Sequence, residues 1–106
     1  MNITTQNIID KEQEVLAQLI NGAQPYIFNL LTRFGDYEES TRLVAVTNEP
    51  QDMANKLAMD ERGCAPIDYD ESMGGYWFDG YMVFSQGFSV ITPFEMAVFL
   101  VAEDIR

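Results

Sequence analysis

The sequence predicts an α+β domain built on a small antiparallel sheet of three to four strands, with three to four helices packed against one of its faces. Three observations carry this expectation. Apolar residues recur at helical spacing over residues 5–35, short β-branched and aromatic runs punctuated by turn signals follow, and a capping box opens the last segment. The 106 residues are expected to form one domain, residues 1–106, since the chain is too short to divide into two cores, and 47% hydrophobic content with 12% aromatics is enough to offset the entropy of ordering it.

Over residues 5–20, Ile8, Ile9, Val15, Leu16, Leu19 and Ile20 share one helical face, while Asp10, Lys11, Glu12, Gln13 and Glu14 occupy the other. Asn21-Gly22 ends this first helix. Pro25 fits the first turn of a second helix, where its missing N–H is not needed, and Tyr26, Ile27, Leu30, Leu31 and Phe34 form a stripe up to Gly35. The two read as a helical hairpin, or as one helix kinked at residues 22–25. After the acidic turn Asp36-Tyr37-Glu38-Glu39, residues 42–47 are short and β-branched enough to be a strand. Asn48 would cap a third helix with Pro50 in its first turn, Gln51 completing a capping box, Met53, Ala54, Leu57 and Ala58 facing inward, and Gly63 as its stop.

Residues 64–75 have no consistent periodicity and read as an exposed loop. Residues 76–92 are rich in Tyr, Trp, Phe, Val and Ile, with turn signals at Asp79-Gly80 and Ser85-Gln86-Gly87, and predict a meander of two or three strands. Thr92-Pro93-Phe94-Glu95 has the form of a capping box with proline at the first helical position, so residues 93–104 are assigned to a last helix despite the β-like run 97–101.

The charge balance narrows the function. Seventeen acidic residues against six basic ones give a formal net charge of -11, with no histidine to vary it near neutral pH. The summed field repels phosphate, so direct binding to nucleic acid or to an anionic membrane is disfavoured and basic partners are favoured. The lone Cys64 permits no intramolecular disulfide, the N-terminus has no signal-like segment, and no apolar run is long enough to cross a bilayer. These features predict a cytoplasmic protein that is complete from residue 1.

Catalytic chemistry is expected to be absent. Without histidine the commonest general base and transition-metal ligand are missing, Cys64 has no activating partner, and no glycine-rich phosphate loop occurs. The nearest approach to a metal motif is Asp68-Tyr69-Asp70-Glu71-Ser72-Met73-Gly74 with Asp79 beyond it. Met73 stands where a calcium loop needs glycine, and Asp79 replaces the final glutamate, so a solvated acidic turn is the better reading. No cofactor and no metal are expected.

What remains is binding. Carboxylates fall in separated groups, and Asp36, Glu38, Glu39, Asp60, Glu61, Asp68, Asp70 and Glu71 are the candidates to stand in for phosphates against the Arg and Lys of a partner. Trp77 and Tyr81, on the aromatic hairpin, are candidate anchors for the same partner. In size, acidity and lack of catalytic chemistry the chain is similar to phage-encoded DNA-mimic inhibitors of host defence, of the anti-restriction and anti-CRISPR kinds, a likeness of composition that no motif carries. The expected function is therefore a non-enzymatic inhibitor of a nucleic-acid-processing defence complex. An immunity protein or antitoxin against a basic toxic enzyme shares the same charge logic, and a structural or assembly adaptor would use the aromatic hairpin.

Overall fold

A computed structural model of the chain describes residues 5–60 and 66–104. The elements run α1 (Thr5–Leu16), β1 (Gln24–Phe34), β2 (Tyr37–Thr47), α2 (Pro50–Asp60), β3 (Asp68–Asp70), β4 (Gly75–Phe78), β5 (Tyr81–Val90) and α3 (Pro93–Asp104). The strands form one antiparallel sheet in the order β2-β1-β5-β4-β3. The α+β class is as expected, with five strands and three helices among the described residues. None of these helices is long and apolar enough to cross a membrane. The described residues divide into two compact units, one comprising residues 5–27, 44–49 and 89–104, the other residues 28–43, 50–60 and 66–88.

In the first unit α1 packs against α3, and Val15, Met96, Ala97 and Val101 are buried. α1 stops at Leu16, short of the expected Ile20. Leu16 and Ile20 are exposed, so burial does not sustain the helix, and the chain tightens into i→i−3 bonds from Gln18 to Val15 and from Leu19 to Leu16. Asn21 and Gly22, both at positive φ, then reverse the chain. At the other end α3 begins as the sequence predicts. Thr92 Oγ1 accepts from Glu95 N–H and Glu95 Oε1 accepts from Thr92 N–H, each at 3.0 Å, and Pro93 holds the first helical position.

The expected second helix at residues 25–35 is instead β1. Tyr26, Ile27, Leu30, Leu31 and Phe34 satisfy helical spacing, but the burial follows period 2: Phe28, Leu30 and Thr32 are buried while Asn29, Leu31 and Arg33 are only partly covered. Pro25, near the strand start, accepts at its carbonyl from the Ile91 N–H at 3.0 Å and needs no donor of its own. β2 begins at Tyr37, so the acidic segment read as a turn is mostly strand; Gly35, at φ 58, and Asp36 make the reversal.

In the second unit Leu30, Ala58, Phe78 and Val83 form the core, with Leu43, Leu57, Tyr76 and Tyr81 packed against it. Ala54 and Ala58 let α2 approach closely. Pro50 opens α2 as expected, but the Asn48–Gln51 capping box is not formed. The Asn48 amide donates to the carbonyl of Asn21 at 3.5 Å and the Gln51 amide to Asn55 at 3.3 Å. Gly63, Cys64 and Glu61 lie outside the described residues, as does the side chain of Asp60.

The expected loop at residues 64–75 contains β3, which pairs Asp68 with Trp77, Tyr69 with Tyr76 and Asp70 with Gly75. Three residues are too few for a sequence pattern to announce a strand. The Asp79-Gly80 turn forms as expected, with Phe78 opposite Tyr81 and Gly80 at φ 86. Ser85-Gln86-Gly87 is not a turn. β5 continues through it to Val90, with Gly87 taking φ 108 inside the strand, so the meander has two strands.

Candidate functional site

The β3–β4 hairpin is held by one carboxylate. Asp70 Oδ1 accepts from the Ser72 hydroxyl at 2.7 Å, the Ser72 N–H at 3.0 Å and the Met73 N–H at 3.1 Å, while Oδ2 accepts from the Trp77 indole N–H at 3.4 Å. The Ser72 hydroxyl, and after it the Met73 N–H, hold this carboxyl below the usual carboxylate range. The Gly74 N–H donates to the Asp70 carbonyl at 2.7 Å and Gly74 takes φ 73, which closes the turn. The segment that approaches a calcium loop in sequence is thus a turn capped from within. Among the described residues no group of three or more acidic, Cys or His side chains is placed to hold a metal.

Around this frame the hairpin leaves large apolar side chains in solvent. Ile67, Tyr69, Met73 and Trp77 are all exposed, interleaved with Asp68 and Glu71, which are exposed as well. The register puts Trp77 and Asp68 on one face and Tyr69 and Tyr76 on the other, where their rings lie 4.8 Å apart. Burial, and then repulsion from Tyr69, push the Tyr76 phenol above its ordinary range. The hairpin therefore presents aromatic and acidic side chains side by side at the edge of the sheet.

On the Trp77 face the surface continues across the sheet. The Phe84 ring lies over Gly75, so close that a Cβ there would stand 2.8 Å from Phe84 Cδ1, and Arg33 sets its guanidinium 5.2 Å from the centre of the same ring. Arg33 also donates to Glu38 Oε2 through Nη2 at 3.0 Å and through Nε at 3.3 Å.

The structure sorts the residues expected to bind a partner. Asp36, Glu38 and Glu39 sit at the β1–β2 turn and on β2; Asp68, Asp70 and Glu71 sit on and beside β3. These strands are opposite edges of the sheet, about 19 Å apart, or four inter-strand spacings of about 4.8 Å. The six form two groups, and within them Glu38 is neutralised by Arg33 and Asp70 is occupied by its own turn. Glu61 and the Asp60 side chain lie outside the described residues. Trp77 is 41% exposed with its indole edge fixed by Asp70, whereas Tyr81 stacks on Phe78 at 5.1 Å and packs against Phe34 at 5.3 Å. Tyr81 belongs to the core and Trp77 to the surface. Sequence reasoning missed Ile67, Tyr69 and Met73, whose signal was a run of large apolar residues alternating with aspartates in a segment read as loop.

Comparison of the chain with protein-family models, curated proteins and solved structures returns no match.

Proposed function

We propose that this chain is a non-enzymatic binding protein that inserts its β3–β4 hairpin into a basic cleft of a nucleic-acid-processing protein and so competes with the nucleic acid. The observation that carries this reading is the hairpin itself: exposed Trp77, Tyr69 and Met73 set among Asp68 and Glu71 on a turn made rigid by Asp70. Fixed aromatics lose little entropy on docking and commonly dominate binding energy, while the carboxylates meet Arg and Lys and speed association. An inhibitor of the anti-CRISPR or anti-restriction type is the setting this chemistry suits, and the net charge of -11 keeps the chain itself off nucleic acid. Asp36 and Glu39 would supply long-range attraction and not contact.

The test is affinity capture from a bacterial lysate with the wild-type chain and with Trp77→Ala, eluting in rising salt and competing with duplex DNA. The expected result is one nucleic-acid-binding complex, displaced by duplex and held about 30-fold more weakly by Trp77→Ala, as for a hot-spot aromatic. Capture of a basic toxin that ignores duplex would establish the immunity reading in its place. Equal capture by wild type and Trp77→Ala would rule out the hairpin.

A further inference from the structure

We propose that the chain forms a two-fold dimer by antiparallel pairing of β2 with β2 of a second copy, centred on Ser40. β2 is a terminal strand, with β1 on one side and, among the described residues, no strand on the other, so its outer backbone groups are a template for another strand. Residues 37–40 and Arg42 are exposed.

The occupant follows from the order of charges along this edge. A two-fold axis normal to the sheet makes one residue of β2 oppose its own copy, so the register is fixed by which residue lies on the axis. Centring on Glu39 sets Glu39 against Glu39, and centring on Arg42 sets Arg42 against Arg42. Like charges directly opposite are unfavourable. Centring on Thr41 gives no ion pair. Centring on Ser40 places Glu38 opposite Arg42 of the other copy twice over, Tyr37 opposite Leu43, and Glu39 opposite Thr41. Charges on an edge ordinarily block pairing with other chains; here opposite charges stand equally far from Ser40 and select one partner and one register.

The structure also prepares the pair. Alternation puts Glu38, Ser40 and Arg42 on one face, away from Leu43, which packs against the core. Arg33 already holds Glu38 at 3.0 Å, which fixes the carboxylate on that face with its second oxygen available to the incoming guanidinium. This inference goes beyond the hairpin reading and does not depend on it, since β2 and β3 are opposite edges of the sheet.

The test is sedimentation velocity on the full chain across a concentration series at neutral pH. A reversible dimer is expected. Arg42→Glu and Glu38→Arg should each weaken it about tenfold or more, because each replaces both ion pairs with like-charge pairs, and mixing the two variants should restore association as a heterodimer. In a Cys64→Ser background, Ser40→Cys should crosslink to its own copy on mild oxidation while Arg42→Cys should not, since only residues on the axis come within disulfide reach. A monomer at every concentration reached would overturn the proposal. So would a dimer that is indifferent to both charge reversals and that crosslinks in the Arg42→Cys variant. Circular dichroism of each variant identifies any loss of association that comes from unfolding.

Discussion

Trp77 donates its indole N–H to Oδ2 of Asp70 at 3.4 Å, across the hairpin and on the same face of it. The other carboxylate oxygen holds Ser72 and Met73, so a single side chain both shapes the turn and orients the exposed aromatic. An acidic residue with this many internal partners thus sets how Trp77 is presented.

This arrangement should titrate. The folded carboxyl of Asp70 lies below its ordinary value of 3.8, so its contribution to the turn is fully present above that value and is lost as pH falls through the folded one. Lowering the pH from neutral should shift the Trp77 indole and Met73 amide resonances together, with the transition below 3.8. In Asp70→Asn the step should vanish. A wild-type indole signal that ignores acid would refute the link.

Trp77 and Tyr81 should separate binding from folding. Tyr81→Ala removes a ring stacked on Phe78 and packed against Phe34, and should cost about 3 kcal/mol in urea unfolding. Trp77→Ala removes a side chain that is 41% exposed, and should cost about 1 kcal/mol or less. Equal losses would mean that Trp77 is part of the packing.

Gly75 tests the close approach on the Trp77 face. An added Cβ would meet the Phe84 ring at 2.8 Å and the Val83 carbonyl oxygen at 3.1 Å, and the backbone oxygen cannot yield as a side chain can. Gly75→Ala should destabilise the chain by about 1–3 kcal/mol. Phe84→Leu in the same chain should recover part of the loss, whereas a neutral Gly75→Ala would show that the strands part easily.

At the start of α3, Thr92→Ala removes the acceptor for the Glu95 N–H and should lower stability by about 1 kcal/mol, read as a fall in the thermal midpoint. Thr92→Ser should retain most of the cap.

What was legible in the sequence was what neighbours in sequence decide. The Thr92–Glu95 box, Pro50 and Pro93 at helix starts and the Asp79-Gly80 turn each depend on a few adjacent residues, and each is present. β1 was not legible because residues 26–34 satisfy two periods at once. Its alternation places Thr32 in the core, and a buried threonine looks polar in sequence. β3 was hidden by its length. The acidic groups could be named, but only the strand order shows that they occupy two edges, and only the packing shows that Arg33 and the Ser72 turn occupy Glu38 and Asp70.

The strand order also governs how the chain reaches this state. β1 and β2, β3 and β4, and β4 and β5 are hairpins whose strands can meet quickly, but β1 joins β5 only after β2, α2, β3 and β4 have been made, as the Phe34–Tyr81 and Phe28–Phe88 ring contacts record. Closing so long a loop is slow, and it is the step expected to limit the folding rate. Until it closes, Phe28 and Leu30 on one hairpin and Met82 and Val83 on the other lie on open strand edges, so newly made chains are most vulnerable to aggregation at a seam that is deeply buried once folding is complete.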